Sequence, residues 1–371
     1  MSLARSIEVG TVFGALKRGP ATVADVAGQG CPSQLFDDLA RLGRIRRIAS
    51  PKGGAFELVD RPELVVGVDL GGTKVHVALS DLSGEILAEG IEPTDRGGGI
   101  QVVEQIGAIG ERLRRRCGRG GDLPRSAAIG SPGVLDTRSG KVSISPNIAG
   151  LEAIDMVAAL ESRLGCAVRI ENDVNLAAMG ELWHGGAAGM ENFAFVALGT
   201  GIGMGLVADG RLMRGAHGAA GEFAFLPLGS DPFSTASYPL GPLETAIGSA
   251  GILKHYREQG GKAANSVREI FERMIAGETA ARETLDYTAR ILAQALMAVR
   301  ALVDPELIVL GGSIGARTEL VERVRALIAS SPVDLAVRAS SLGSRAVLVG
   351  ANRLALAQAC DLLLAPPTDD A

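Results

Sequence analysis

The chain has four cysteines, Cys31, Cys117, Cys166 and Cys360, and no two of them form a Cys-x-x-Cys pair. None of its four histidines stands at ligand spacing from a thiol, so neither a disulfide scaffold nor a zinc finger is written here. Isolated reduced thiols are expected. No run of about 18 apolar, uncharged residues appears, and the N-terminus MSLARSIEVG lacks the basic-then-apolar layout of a signal peptide. These absences argue against secretion and membrane insertion and place the chain in the cytoplasm. An overall basic charge is missing too, since the net charge is −5. That total hides an asymmetry: residues 1–62 carry net +3 and the remainder −8. A basic end on an acidic body fits a nucleic-acid module, although three charges are a weak signal of one.

With 371 residues, 47% hydrophobic and 21% charged, the chain exceeds one ordinary core and predicts two or three domains. Residues 1–62 read as three short helices followed by a strand, a Pro/Gly turn and a strand. Ile7, Val12, Phe13 and Leu16 fit one helical face, ATVADVA a short second helix, and Leu35, Phe36, Leu39 and Leu42 a third. Three helices plus a wing resemble a winged helix-turn-helix. From Val65 a pattern appears twice: VVGVDLGGTKVHVALSDLSGEIL and FAFVALGTGIGMGLVADGRL each give strand, Gly/Thr turn, strand and second turn. Two copies predict two related lobes with phosphate turns aimed at a shared cleft. Strands alternate with amphipathic helices, the clearest bearing Leu285, Ala289, Leu292, Leu296, Val299 and Val303 on one side, so the class is α/β.

In the first turn Asp69 ends a strand, and Gly71 and Gly72 let the backbone come close to a phosphate. Thr73 and Lys74 can donate to its oxygens, and Asp69 can hold Mg²⁺ through water. A plain glycine hairpin with an exposed lysine reads equally well from this stretch alone. The second turn, LGTGIGMG, matches a loose dinucleotide fingerprint, but a strand and not a helix follows it, which excludes a Rossmann unit. A second phosphate turn at Gly199, Thr200 and Gly201 pairs with the first. A buried strand ending in Gly311, Gly312 and Ser313 offers bare backbone against which an adenine could slide. Asp173 opens a helix, where by itself it reads as an N-cap. Beside two phosphate turns it reads as a general base taking a sugar hydroxyl's proton, with Asn172 orienting the sugar.

Taken together, DLGGTK, ENDVNLAAMGE, LGTGIGMG, GAAGEF, GPLE and LGGSIG resemble, in this order, the ROK family of sugar kinases and sugar-responsive repressors. The resemblance implies an actin-like ATPase fold of two lobes, residues 63–172 with the C-terminal helix 348–366, and residues 173–347, behind a winged-helix-like domain at 1–62. It implies that Asp69, Gly71, Thr73 and Lys74 meet phosphate or Mg²⁺, that Gly199, Thr200 and Gly201 meet phosphate from the other lobe, and that Gly311, Gly312 and Ser313 lie near the nucleoside. Asn147, Asn172, Asp173, Glu222 and Glu244 would ring the sugar, with Asp173 as base. A buried ring of this kind gives each hydroxyl a partner.

One departure is large. Family kinases place a zinc-binding His after the AGE motif and further ligands in a cysteine-rich segment, whereas here Phe225 stands at the His position and no Cys occurs before Glu244. No zinc is expected, and His217 nearby reads as a loop histidine. Family repressors carry an N-terminal winged helix and simple kinases do not. In this chain the third helix shows Ser33, Gln34, Asp37, Asp38 and Arg41 outside its apolar stripe, and its two aspartates would repel phosphates. Arg44, Arg46, Arg47 and Lys52 of the wing remain to touch a DNA backbone. The expected function is a sugar-responsive transcriptional regulator with a sugar-kinase-like pocket for a sugar and ATP, working on operator DNA as a homodimer or higher homo-oligomer. The alternative is an ATP- and Mg²⁺-dependent sugar kinase with a relic N-terminal domain.

Overall fold

The computed structural model describes residues 3–27, 30–50, 54–136, 141–143, 148–332 and 334–365. The chain divides into two compact units, Met1–Asp173 with Leu348–Ala371, and Val174–Val347.

The first unit begins with α1 (Leu3–Lys17), β1 (Ala21–Thr22), α2 (Val23–Ala27), α3 (Ser33–Arg41), β2 (Ile45–Ile48) and β3 (Ala55–Leu58). Val9, Val12, Phe13 and Leu16 of α1 and Leu35, Phe36 and Leu39 of α3 are buried, whereas Ile7, expected on the apolar face of the first helix, is 50% exposed. The three strands make a small antiparallel sheet in the order β1-β3-β2. Phe36 packs on Phe56 with ring centroids 5.1 Å apart, which fixes α3 against that sheet. Leu42, expected on the apolar stripe of the third helix, lies just past its end and is exposed.

There follow β4 (Leu64–Leu70), β5 (Lys74–Asp81), β6 (Ile86–Pro93), α4 (Gly99–Arg116), β7 (Pro124–Ser131), β8 (Val134–Asp136), β9 (Lys141–Ser143), α5 (Met156–Leu164) and β10 (Ala167–Asn172). The main sheet has the order β10-β7-β4-β5-β6, with β4 and β5 an antiparallel hairpin and β7 and β10 running parallel to β4. Both faces of the hairpin are buried, so its strands read as continuous apolar runs and not as alternation. One face, with Val66, Val68, Val75 and Val77, shares a core with α4 and α5.

The second unit holds α6 (Asp173–His184) after its first residue, β11 (Phe193–Leu198), β12 (Ile202–Ala208), β13 (Arg211–Leu212), a 3-10 turn at Phe223–Phe225, α7 (Pro242–Ile247), α8 (Ser249–Glu258), α9 (Val267–Ile275), α10 (Thr279–Val303), β14 (Leu307–Gly311), α11 (Thr318–Ala329) and β15 (Val337–Ala339). Its sheet order is β13-β12-β11-β14-β15, again a hairpin followed by two parallel strands. The duplicated sequence pattern is therefore a duplicated topology. The larger core packs α7 to α11 on one face, and a smaller one packs α6 on the other. At the end of α6 the buried carboxylate of Glu181 accepts from the Gly186 amide at 2.7 Å, from the Ser340 hydroxyl, and from the Leu342 amide at 3.3 Å. These bonds tie the helix to the segment after β15.

The last helix, α12 (Ala346–Leu364), returns to the first unit. It is long and apolar enough to cross a bilayer by length and composition, but 72% of its apolar window is buried inside the protein, as befits a core helix. It lies so close to the sheet that a Cβ on Gly67 would sit 2.7 Å from Asn352 Cγ and 2.8 Å from its backbone nitrogen. The Asn352 side-chain amide oxygen accepts from the Ser80 hydroxyl at 2.9 Å, and the Ala355 backbone carbonyl accepts from the Ser126 hydroxyl at 2.7 Å. Gly67→Ala is expected to lower stability by roughly 1–3 kcal/mol, the range of overpacking, because strand and helix backbone must separate. Urea titration of the purified variant checks this; an unchanged midpoint would show that the contact yields freely.

Candidate functional site

The β4–β5 turn is built by its own backbone. The Gly71 amide donates to the Lys74 carbonyl at 2.9 Å, and Thr94, at the end of β6, donates its hydroxyl to the Gly71 carbonyl at 2.6 Å and its amide to the Thr73 carbonyl at 3.2 Å. Gly72 and Thr73 are left exposed at the tip, and Lys74 is half-buried. Below them Asp69 is only 8% exposed, with its carboxylate 3.9 Å from Lys74 Nζ. Burial pushes the Asp69 carboxyl up to about 6; the Lys74 ammonium pulls it down, and the Asp173 carboxylate adds to the rise. Asp69 and Asp173 are thus brought into electrostatic contact from the ends of β4 and β10, two strands separated in the sheet by β7. Asn172, the last residue of β10, donates its side-chain amide to the Gly133 carbonyl at 3.2 Å, which orients the residue before the helix. A buried carboxylate beside an ammonium and an exposed Gly-Thr tip can hold a phosphate and its cation.

In the second unit two further carboxylates come together. Glu244, half-buried in the first turn of α7, accepts from the Ile202 amide at 2.9 Å. Burial raises its pKa, the Ile202 bond opposes, and the charge of Glu222 adds to the rise. Glu222, at the start of the 3-10 turn, is exposed as a residue, yet crowding about its carboxyl raises its pKa as well. Their approach is set by two glycines in the left-handed region. At Gly221 (φ 89°) a side chain would meet the Met204 carbonyl, and at Gly241 (φ 83°) it would meet the Ala224 carbonyl. Gly201 lacks a Cβ for a related reason, since one there would stand 2.3 Å from Glu244 Oε2. In the expected phosphate turn, Gly199 approaches the Ser313 hydroxyl, and the Thr200 carbonyl accepts from the Ser249 amide at 3.1 Å. Gly203 and Gly205 leave space for Val174 and Ala178 of α6.

Gly311 is buried, and a Cβ there would strike the Phe195 ring, so its bare backbone serves packing between β11 and β14. Gly312 and Ser313, beyond the strand, are exposed. Asn147 lies outside the described residues. Thr94 and Ser249, which hold the turns, escaped the sequence reading: each acts only on backbone carbonyls at least 21 positions away, with no local motif to mark it.

The zinc that the family resemblance brings to mind does not fit here. The segment from Phe225 to Glu244 contains neither Cys nor His. It is held instead by Leu226 and Leu228 packed on the core, by Gly229 against Ala246 and Ile291, by the Tyr238 hydroxyl donating to the Phe233 carbonyl at 3.1 Å, and by Asp231 accepting from the Phe233 amide at 2.9 Å. His217 is exposed in the loop before Glu222.

Two hairpin-led mixed sheets with helices on both faces, each with two carboxylates brought together in its unit, make an actin-like sugar-kinase fold. The chain belongs to the ROK family, whose model matches residues 65–358. The glucokinase of Halalkalibacterium halodurans is 30% identical over 267 residues, 67% of this chain and 80% of that protein. Among solved structures, the ROK hexokinase of Thermus thermophilus is 30% identical with a TM-score of 0.69, covering 80% of this chain and 99% of its own. A ROK glucokinase of Streptomyces griseus, solved with glucose and AMPPNP, is 26% identical with a TM-score of 0.64, covering 79% and 99%. A ROK transcriptional regulator described as a homologue of the E. coli MLC protein covers 98% of both chains with a TM-score of 0.75; at 21% identity this likeness is one of fold.

The raised Asp69 pKa carries a stability cost with a definite sign. The native state binds the proton more tightly than the unfolded chain, so the site destabilises the fold as pH rises from the ordinary carboxyl value through about 6. Asp69→Asn is therefore expected to be more stable than the parent at pH 8, by on the order of 1–3 kcal/mol. The gain should vanish below about pH 4, where the parent is protonated. Denaturant midpoints at the two pH values read it, and a variant less stable at pH 8 would remove the burial argument.

Proposed function

We propose that this protein is a sugar-responsive transcriptional regulator of the ROK family, acting in the cytoplasm as a homodimer or higher homo-oligomer. The observation that carries the reading is the extra module. The kinase structures are covered to 99% by about four-fifths of this chain, while the regulator's fold is matched over 98%, including the three helices and three-stranded sheet of residues 1–62. That module has the element order of a winged helix, and a free kinase has no chemical use for it. Its third helix presents Ser33, Gln34, Asp37 and Arg41 to solvent, and Arg46 and Arg47 on β2 are each 68% exposed at the side chain. Arg46 is paired with Glu57 at 2.6 Å and Arg47 lies 3.8 Å from Asp37; exposed pairs of this kind are weak and give way to a phosphate backbone.

In this reading Glu222, Glu244, Asn147 and Asn172 take the sugar's hydroxyls. Asp69, Thr73 and Lys74, with Gly199, Thr200 and Gly201, take the phosphates and Mg²⁺ of ATP, and Gly312 and Ser313 lie near the nucleoside. The sugar then favours one arrangement of the body and so alters operator binding. No zinc enters.

A second reading is favoured by one specific observation, the Asp69 carboxylate kept buried beside Lys74 and Asp173. Such a cluster costs stability, and a site that only senses a sugar has no need of a base. In that reading Asp173 accepts the proton of the attacking hydroxyl, Mg²⁺ held by Asp69 neutralises the phosphates, and the chain is an ATP-dependent sugar kinase.

ADP release from Mg·ATP over a panel of hexoses, amino sugars and pentoses, with Asp173→Asn protein as blank, separates the two. The regulator reading expects no sugar-dependent release above the blank, whereas release that the variant lacks makes this an enzyme. On the DNA side, Arg46→Ala with Arg47→Ala is expected to weaken operator binding about tenfold or more and reduce its salt slope by about two. Gel-shift titrations at several salt concentrations read this, and unaltered binding would take the wing out of the interface.

A further inference from the structure

The N-terminal module shares a compact unit with the β4–β5 sheet, and one stripe of α1 explains why. Gly10, Gly14 and Lys17 stand at positions i, i+4 and i+7, on one face of the helix. Two glycines inside a helix weaken it, so their presence calls for a close neighbour. That neighbour is the turn between β5 and β6. A Cβ on Gly10 would lie 3.4 Å from the Leu82 carbonyl oxygen and 3.5 Å from that of Ser83, and one on Gly14 would lie 3.9 Å from Ser83 Cβ. A methyl could be accommodated there; a longer side chain could not.

At the end of the stripe, Lys17 Nζ donates to Asp81 Oδ2 at 2.6 Å and to Glu85 Oε2 at 2.5 Å. Asp81 is buried, and its other oxygen accepts from the Ser83 amide at 2.9 Å, so the carboxylate is held by the turn that it closes. The covalent link beside this contact is braced as well. Glu63 lies 3.1 Å from Arg44 of the module and 3.5 Å from Arg125, its carbonyl accepts from the Leu82 amide at 3.0 Å, and Arg119 donates to the Pro62 carbonyl at 2.9 Å.

Asp81 is the last residue of β5, and Lys74 of the phosphate turn is the first. The strand between them is buried and paired on both sides, to β4 and to β6. We infer that the Gly10–Gly14–Lys17 stripe clamps the N-terminal module onto the β5–β6 turn, so that the module is a fixed extension of the phosphate-turn hairpin and not a head on a flexible tether. Any displacement of the β4–β5 turn then reaches the module through one rigid strand about 25 Å long. This use of the clamp rests on the regulator reading; the fixed attachment does not.

Pulsed electron-electron spin distances between labels on non-natural amino acids at the exposed Gln34 of α3 and Gln101 of α4, in the full chain without ligand, test the attachment. The parent and Lys17→Arg are expected to give one narrow distance distribution. Lys17→Met, which loses the ion pairs, and Gly10→Leu, which lifts the helix from the turn, are each expected to broaden it at least twofold. A parent already as broad as its variants, or both variants as narrow as the parent, would overturn the clamp. Because no sugar, nucleotide or DNA is present, this result is independent of whether the regulator reading survives.

Discussion

The antiparallel ladder that pairs Leu64 with Asp81 at one end and Leu70 with Val75 at the other imposes its register in two directions. Toward the turn it puts Asp69 one pair below the exposed Gly-Thr tip, with Lys74 close enough to share its charge. Away from the turn it delivers Asp81 to the surface on which α1 rests. A slip of one residue would turn every side chain of the hairpin to its opposite face. The core valines would then meet α12, and Asp69 would lie in the apolar layer under α4. Both faces of these strands are covered, so the register is held by packing on two sides and by the backbone approach at Gly67.

The charged groups of the candidate site stand under strain that the rest of each unit must offset. Burial and then the Asp173 charge raise the cost of ionising Asp69 in the first unit, and burial and then the Glu222 charge do the same for Glu244 in the second. A fold selected only for stability would dilute such pairs. Here the backbone is shaped to keep them, through Gly201 opening room for Glu244 and through the left-handed Gly221 and Gly241 on either side of the 3-10 turn. Polar hydroxyls or a phosphate with its cation would relieve the strain by adding favourable contacts. The region where family members place a metal is closed by apolar anchors instead, with Leu228 packed on the larger core and Gly229 against Ala246 of α7 and Ile291 of α10.

Much of this was legible in the residues. The run VVGVDLGGTKVHVALSD announced a hairpin with a polar turn, and FAFVALGTGIGMGLVADG announced its counterpart, because β-branched runs interrupted by Gly and Thr leave few other options. Asp69 and Lys74 were named from the first run and Asp173 from the helix start in ENDVNLAAMGE, whereas Glu244 came from the family resemblance alone. The glycines were less faithfully read. Gly201 and Gly311 looked like places where a ligand meets bare backbone, yet the space beside them is taken by Glu244 and Phe195. A glycine records that something comes close and does not record what.

The sequence by itself determined the class of fold, the two-fold repetition of the hairpin unit and the chemical types gathered at its turns, since periodicity, turn chemistry and charge are local properties of the chain. The tertiary structure alone decided which distant groups meet. It brought Lys17 to Asp81 across 64 positions and Asn352 to Ser80 across 272, and it placed Thr94 beneath the first turn and Ser249 beside the second. Each of these contacts is a single hydrogen bond or ion pair without periodicity or motif, so nothing short of the packed backbone could select it from the many pairs that the same residues allow.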